Sequence, residues 1–312
     1  MKSYHDEMFK SNFTKKENAI DLINNTFPEE IKNNLLFETL TLGNNSYTDS
    51  KLKKYFSDLV YTCNYKNVEI KIALLFEHKS YFTDRPHLQL LKYILRIWEQ
   101  QIKSKEEMKV VIPIIFYHGL ETWKYSRLNE YFTEIDSNLI KFIPIFDYLL
   151  IDLSGYTDQE IKDKLFDSIE NKILLSIMKN ILDKKKFIKN ITDYLEIGKI
   201  YFKTEKGIKF IETVIEYLFS VVKEDKKEII IEKIDKIIKD GGETMTIAMR
   251  LRKDGKIEKQ QETLIRLLSK KFGMRDDEKQ FINNCFDAEK LDNALDEILF
   301  ADNKIKVLNC LK

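Results

Sequence analysis

The sequence predicts an α/β protein: a mixed β-sheet flanked by helices, followed by a mainly helical C-terminal half. Four short runs of apolar and β-branched residues lie between residues 58 and 155, with the length and composition typical of strands. An amphipathic segment with helical spacing separates the second run from the third, which indicates a crossover between parallel strands. After Gly155 the pattern is almost wholly helical.

The N-terminal half begins with an amphipathic helix in "ENAIDLINNTFP", which Pro28 ends. The predicted strands span residues 58–65, 69–80, 109–119 and 146–155. Only "KNV" separates the first two strands, so we expect a hairpin there. Between the second and third strands, "RPHLQLLKYILRIWEQQIKSKEE" predicts a helix that starts beside Pro86. Its apolar residues recur at spacings of three and four, namely Leu88, Leu91, Ile94, Leu95 and Trp98.

Three regions follow from this pattern. Residues 1–155 form the predicted sheet domain, and 156–239 a helical region. The break "KDGGET" then precedes a second helical region, 240–312, in which "GKIEKQQETLIRLLSKKFG" has one apolar face. We interpret this last region as a surface for oligomerisation or partner contact.

The composition is that of a globular protein, with 312 residues, 43% apolar and 33% charged residues and a net charge of +1. Apolar runs reach only about ten residues, too short to cross a bilayer, and the start "MKSYHDEMFK" lacks the apolar segment of a signal peptide. We therefore expect a cytoplasmic location without membrane contact. Three cysteines without a CxxC pair indicate neither a disulfide framework nor a zinc ribbon.

The stretch "ALLFEHKSYF" combines a strand-like apolar run with charged residues. Glu77 and Lys79 are two apart, so they share one face of a strand, whereas His78 belongs to the opposite face. A buried strand accommodates such charges only when they have partners or a function. Hairpin pairing would bring Asp58 of "FSDLVY" close to the same end of the sheet.

This arrangement favours phosphodiester chemistry. Asp58 and Glu77 offer oxygen ligands suited to Mg²⁺ or Mn²⁺, which would polarise a phosphodiester and acidify a water molecule. Lys79 would position or deprotonate that water and neutralise developing charge. From the residues alone, a structural ion-pair cluster is an equal alternative. No glycine-rich phosphate loop, HExxH zinc motif or GxSxG nucleophile motif is present.

Several further polar residues near these strands have open roles. Asp6 could add a carboxylate from the N-terminal helix, although a capping or surface role is favoured. Gln89 and Lys92 could approach the ion or a DNA backbone from the helix after the second strand, or face solvent. His118 ends a strand and could simply form a turn.

Six motifs occur in the order found in a known family: "HDEMFKSNF", "SDLVY", "LLFEHKSYF", "QLLKYILRIW", "VIPIIFYHGLETW" and "LLSKKFG". In these motifs the chain resembles the Rpn family of recombination-promoting nucleases and YhgA-like transposases, within the PD-(D/E)XK nuclease superfamily. The resemblance implies a restriction-endonuclease-like core and Mg²⁺-dependent DNA cleavage. It assigns Asp58 and Glu77 to the two acids of the superfamily motif and Lys79 to its lysine. Ser57 replaces the motif's proline, a position that varies widely.

The function predicted from these observations is a Mg²⁺-dependent DNA endonuclease in recombination or mobile-element biology. Few of the 52 basic residues are arginines, so we expect little base-specific recognition. One alternative is a DNA-binding or assembly protein with a degenerate nuclease core. Another is a toxin-like or defence nuclease that acts on RNA or phage DNA. A homodimer is a hypothesis, because cleavage of both strands commonly needs two sites.

Overall fold

The computed structural model describes residues 4–43, 57–77, 85–238 and 245–311. The chain forms two compact units, residues 1–237 and 238–312. Within the described ranges, no helix is both long enough and apolar enough to pass through a bilayer. The division into 1–155, 156–239 and 240–312 stays a prediction.

The first unit contains a five-stranded sheet in the order β1-β2-β3-β4-β5. The strands are β1 (Leu35–Leu42), β2 (Ser57–Tyr65), β3 (Val68–Glu77), β4 (Val111–Tyr117) and β5 (Leu149–Asp152). Neighbours among the first three strands are antiparallel, whereas β3, β4 and β5 run parallel. With helices around it and a mainly helical remainder, this mixed sheet confirms the predicted fold class.

Helices make up most of the remaining regular structure. They are α1 (Tyr4–Phe13), α2 (Lys16–Thr26), α3 (Glu29–Lys32), α4 (Pro86–Lys103), α5 (Asp158–Glu160), α6 (Ile169–Asn180), α7 (Lys184–Glu196), α8 (Glu205–Val221), α9 (Glu224–Ile238), α10 (Met245–Phe272), α11 (Asp276–Asn283), α12 (Ala288–Glu297) and α13 (Lys304–Asn309). The predicted helix that Pro28 ends corresponds to α2. The connection from β4 to β5 contains two short 3₁₀ helices, Leu128–Tyr131 and Ser137–Phe142.

A tight hairpin joins β2 to β3. Tyr65 pairs with Val68, so the turn consists of Lys66 and Asn67 alone, and Lys66 adopts a left-handed φ of 52°. Both the hairpin and the crossover through α4 into parallel β4 confirm the predicted connections. The turn is one residue shorter than the "KNV" segment because Val68 belongs to β3.

Strand β1 was not predicted from the sequence. Among the described strands, it lies at one edge of the sheet and pairs with β2. Its register shifts between Leu36 and Thr41, which breaks the two-residue alternation of buried and exposed side chains. Because that alternation is the main sequence signal of a half-buried strand, an irregular edge strand is hard to recognise.

The sheet is covered on both faces. On one face α4 packs its Ile94 and Ile97 into a core that includes Val60, Ala73 and Ile115. On the other face the rings of Phe9 and Phe13 in α1 lie 4.9 and 6.3 Å from the ring of Phe116. Ile115 and Phe116 are consecutive, so the two-residue period of β4 supplies one side chain to each layer.

The buried face of α4 differs from the one its sequence spacing favoured. Leu90, Ile94 and Ile97 are at most 4% exposed, whereas Leu88 and Leu95 are each 51% exposed. The helix has two apolar faces, and only one of them packs against the sheet. Spacing alone could not decide between these faces.

A buried polar network fastens α6 to the N-terminal helices. Asn171 is fully buried and accepts a hydrogen bond from Asn12 at 2.7 Å. Its amide donates to the Asn18 carbonyl at 2.9 Å and to the Asp21 carboxylate at 2.7 Å. The network joins α1 and α2 to the helical region after Gly155, so these segments belong to one packed unit.

Glu170 extends this network. Its carboxylate accepts hydrogen bonds from Lys15 at 2.7 Å, Asn18 at 2.6 Å and Tyr201 at 2.6 Å. Burial by itself raises the pKa of the carboxyl group, but the three donors outweigh burial and lower the pKa below its ordinary value. Glu170 is therefore ionised at neutral pH although it is largely buried.

The second unit has a core of its own. The face of α10 that includes Ile257, Leu264 and Leu268 packs against α11, α12 and α13, where Leu291 and Val307 are fully buried. This confirms the apolar face predicted for "GKIEKQQETLIRLLSKKFG". Whether this unit mediates oligomerisation stays a prediction.

Candidate active site

The backbone register brings the two predicted acidic positions close together. Asp58 of β2 pairs with Leu75 of β3, and Glu77 lies two residues further along β3. Directly paired residues share a face, as do residues two apart on one strand, so Asp58 and Glu77 are diagonal positions of one face. Such positions are about 7–8 Å apart, close enough for two carboxylates to share one ion.

The register also identifies which face this is. Val60 and Ala73 pair directly and belong to the core beneath α4. Asp58 is two residues from Val60, and Glu77 is four residues from Ala73, so both acidic positions belong to the α4 face by period. The candidate pair therefore lies at the end of β3 from which the chain enters the crossover to α4.

The structure describes only part of the predicted constellation. The side chains of Asp58 and Glu77 lie outside the described residues, as do His78 and Lys79 entirely. Elsewhere in the described chain, no group of three or more histidine, cysteine, aspartate or glutamate side chains could hold a metal ion. Two carboxylate positions at one strand end offer the oxygen donors that Mg²⁺ prefers, with water completing the coordination. The donor set thus fits the predicted ion.

Parallel pairing extends this row of positions across the sheet. Glu77 pairs with Tyr117, and Tyr117 pairs with Asp152, so the carboxyl ends of β3, β4 and β5 form one edge. Ligands of open α/β sheets bind at such edges. Asp152 was not predicted as a site residue, although its position as an acid at the end of a predicted strand could have identified it.

Asp152 has structural partners. One of its oxygens accepts a hydrogen bond from the Trp123 backbone N–H and the other from the Ser154 backbone N–H, both at 2.8 Å. Strand β4 also lies between Asp152 and Glu77, so the two positions are two inter-strand spacings apart, about 10 Å. We interpret Asp152 as the residue that shapes the loops at this edge.

His118 belongs to the opposite face. It is 1% exposed, and its Nδ1 lies 3.1 Å from the Met178 carbonyl oxygen. Its ring lies 5.5 Å from that of His5 in α1, and His5 Nδ1 is 2.6 Å from the hydroxyl oxygen of Tyr217. This cluster joins α1, β4 and α8 on the side of the sheet away from the candidate pair, so His118 packs between helices.

His87 lies in an aromatic environment at the start of α4. It is fully buried, with the rings of Tyr131, Phe146 and Tyr148 at 5.2 to 5.8 Å. Burial lowers the pKa of His87 and outweighs the opposing effect of the Ser126 backbone. A neutral, enclosed imidazole is a packing residue in this position.

The remaining candidates lie on helices. Asp6 is partly exposed on α1, Gln89 is partly exposed on α4, and Lys92 is exposed on α4. Arg85, just before α4, has a left-handed φ of 63°. Such backbone strain in a residue other than glycine is often found beside functional sites.

Comparison with known proteins places this geometry in context. The family model described as "Putative transposase, YhgA-like" matches residues 3–208. The inactive recombination-promoting nuclease-like protein RpnE of Escherichia coli K12 is 26% identical over 258 residues, which cover 81% of this chain and 83% of RpnE. No solved structure matches the chain significantly.

Two further relatives have names that state an activity. The recombination-promoting nuclease RpnD of Escherichia coli O157:H7 is 24% identical over 162 residues, or 50% of this chain and 61% of RpnD. The recombination-promoting nuclease RpnA of Escherichia coli K12 is 24% identical over 158 residues, or 50% of this chain and 54% of RpnA. These two matches therefore span between half and two thirds of each relative.

Proposed function

We propose, because the chain belongs to the YhgA-like transposase family, that it is a nuclease of recombination or mobile-element biology that hydrolyses DNA with Mg²⁺. The observation that supports this most directly is the pairing of Asp58 with Leu75, which makes Asp58 and Glu77 diagonal positions of one face. The names of RpnD and RpnA add support for a nuclease. A cytoplasmic location and DNA as the partner are parts of the same proposal.

In this proposal Asp58 and Glu77 hold the ion, and Mn²⁺ could replace Mg²⁺ because both accept oxygen ligands. When bound, the ion stabilises negative charge on the phosphodiester and acidifies water. The two carboxylates alone would repel the phosphate, so they contribute only as ligands. Lys79 is two residues beyond Glu77, and its ammonium group orients the attacking water and neutralises developing charge.

The decisive experiment is nicking of a supercoiled plasmid with and without Mg²⁺. We expect nicking by the wild type only with the metal, and a loss of about 100-fold or more in Asp58→Asn, Glu77→Gln and Lys79→Met. Glu69→Gln is the matched control, because Glu69 is an exposed acid at the opposite end of β3, and its carboxylate lies 3.6 Å from the Lys109 ammonium group. Thermal unfolding of each variant, with a midpoint close to that of the wild type, verifies that the variant is folded. Equal nicking by wild type and Asp58→Asn contradicts the assignment.

A second candidate function is a DNA-binding or assembly protein without catalytic turnover. The observation in its favour is that RpnE, which this chain matches over 83% of its length, is named inactive. The presence of Asp58, Glu77 and Lys79 in this chain argues for activity. Retention of a labelled DNA duplex without nicking, at any Mg²⁺ or Mn²⁺ concentration, would favour the second candidate.

The substrate is a separate question. A toxin-like or defence nuclease would act on RNA or phage DNA with the same three residues. Parallel digestion of single-stranded DNA, double-stranded DNA and RNA distinguishes these classes, and we expect the DNA duplex to be cleaved fastest. Preferential cleavage of RNA would contradict DNA as the substrate while leaving the assignment of the three residues intact.

A further inference from the structure

Helix α4 has an apolar stripe that the sheet covers only in part: Trp98 packs against the core beneath the helix, whereas Leu88, Leu95 and Ile102 stay exposed. This stripe, here called the α4 seam, has successive spacings of three, four, three and four residues. Its members are Leu88, Leu91, Leu95, Trp98 and Ile102. Leu88 and Leu95 are each 51% exposed, and Ile102 is 61% exposed. The opposite face of α4 is already packed against the sheet.

The spacing of the α4 seam is that of a helix that pairs with another helix. Apolar residues that alternate at three and four form the contact line of coiled coils. Single exposed leucines are common on protein surfaces, but these five residues follow one line along an 18-residue helix. The line from Leu88 to Ile102 is about 21 Å long, at 1.5 Å per residue.

The charges beside the α4 seam indicate its partner. Lys92 and Glu99 are exposed, lie seven residues apart, and follow Leu91 and Trp98 directly, so both flank the same side of the stripe. When two copies of α4 pair antiparallel about a twofold axis between residues 96 and 97, Leu95 of each copy lies opposite Trp98 of the other, and Lys92 flanks Glu99 of the other copy at an offset of two residues. Parallel pairing offers no such pair from these two residues.

We propose that the α4 seam is the interface with a second copy of this chain, and that the two α4 helices pair antiparallel. Leu95 and Trp98 lie next to the twofold axis, where Leu95 of each copy contacts Trp98 of the other. The indole N–H of Trp98 donates to the Lys109 carbonyl at 2.8 Å, so this ring is oriented before association, which lowers the entropic cost of binding. One helix per copy makes a small interface, and the dimer is therefore weak and concentration-dependent.

This interface belongs to the first unit and differs from the C-terminal surface that the sequence suggested. It is also independent of the nuclease proposal, because dimerisation needs neither the metal nor catalysis. A chain that dimerises without cleaving DNA would support the interface and contradict the nuclease, and the reverse result would do the opposite.

The first test is sedimentation equilibrium of the full chain, whose monomer mass is 37.2 kDa. We expect a reversible monomer–dimer equilibrium for the wild type at micromolar concentrations. Leu95→Asp removes one apolar contact from each copy and places two carboxylates near the axis, so we expect dissociation to increase about 100-fold. The matched control is Leu139→Asp, because Leu139 is 52% exposed but lies in the connection between β4 and β5.

The second test uses charge reversal to examine direction. Lys92→Glu or Glu99→Lys alone creates like charges across the axis twice, so each should weaken the dimer about fivefold. The double variant exchanges the two signs and should restore wild-type association. Because Lys92 and Glu99 lie two helical turns apart, they do not interact within one chain.

Three results would overturn the proposal. The first is a wild type that remains monomeric. If its Leu95→Asp variant also loses thermal stability, the α4 seam is covered by the chain itself. The second is equal association of wild type and Leu95→Asp. The third is failure of the double charge variant to restore the association lost in each single variant, which excludes antiparallel pairing.

Discussion

Replacement of Asn171 by leucine tests how α6 is joined to the N-terminal helices. The two side chains are similar in size, so Asn171→Leu removes the amide without a large cavity. Three hydrogen bonds are lost: those with Asn12, the Asn18 carbonyl and the Asp21 carboxylate. Each partner is left with one fewer bond in a buried site.

The size of the effect follows from these three bonds. A buried neutral hydrogen bond contributes about 1 kcal/mol, and a bond to a charged group about 1.5–3 kcal/mol. Asp21 keeps its bonds from the backbone N–H groups of Asp167 and Ser168, so its carboxylate is not left alone. We therefore expect the free energy of unfolding to fall by about 4 kcal/mol, a large part of the roughly 5–15 kcal/mol of a typical domain.

Urea denaturation followed by two probes measures both the loss and its extent. Trp98 and Trp123, the two tryptophans of the chain, lie in the sheet region, so their fluorescence reports that region. Circular dichroism at helical wavelengths reports mainly the helices. If α6 and the sheet unfold together, Asn171→Leu lowers the midpoint of the fluorescence transition as well, although the substitution lies in a helix.

The control is Asn24→Leu, because Asn24 is exposed on α2 and surface changes usually stay within about 0.5 kcal/mol. A stabilising role for the Asn171 hydrogen bonds is contradicted if Asn171→Leu changes the free energy of unfolding no more than Asn24→Leu does. Joint unfolding of α6 and the sheet is refuted if the fluorescence transition does not move, because α6 would then unfold separately from the sheet.

Three further predictions concern other parts of the chain. The folded state lowers the pKa of Glu170, so the stabilisation by its carboxylate is complete above the ordinary carboxyl pKa and is lost as pH falls through the folded-state pKa. Glu170→Gln should therefore weaken the pH dependence of the free energy of unfolding below about pH 4.5. An unchanged pH dependence in this acidic range would contradict the prediction. A Cβ on Gly119 would overlap the buried ring of Tyr117, whereas a Cβ on Gly155 would meet open space. Gly119→Ala should therefore lower the free energy of unfolding, measured by thermal unfolding, by about 1–3 kcal/mol, and Gly155→Ala by much less. Leu264→Ala should cost about 2–5 kcal/mol in urea unfolding, because the side chain is fully buried; an equal loss in Leu299→Ala, at a residue 69% exposed, would argue against the α10 core.

The parts of the fold that the sequence predicts are those with regular periodicity. The hairpin and the crossover followed from apolar strand runs separated by a short segment and by an amphipathic helix. The irregular strand β1 lacked the alternation that would have revealed it. The polar network was also beyond sequence patterns, because Asn18 and Asp21 on α2 look like solvent-exposed residues until α6, about 150 positions later, packs against them.

For the candidate site, the charged residues in an apolar strand and the short segment before that strand predicted the residues and the hairpin that relates them. The sequence did not predict the register of β2 and β3. This register makes Asp58 and Glu77 diagonal positions of the α4 face. Periodicity likewise could not identify the buried face of α4, since Leu88 and Leu90 are equally apolar. The side chains of Asp58 and Glu77 and all of Lys79 lie outside the described residues, so their roles stay predictions.

The two-residue turn at Lys66 and Asn67 has an influence that reaches far beyond its own position. Because strand residues alternate between faces, a slip of one residue in the pairing of β2 and β3 would move Asp58 to the layer beneath α1 and separate it from Glu77. Surface loops usually tolerate insertions, but the length of this turn determines the register in which β2 and β3 pair. The number of residues in the turn is therefore constrained more tightly than their identity, although the turn lies about 30 Å from the acidic pair.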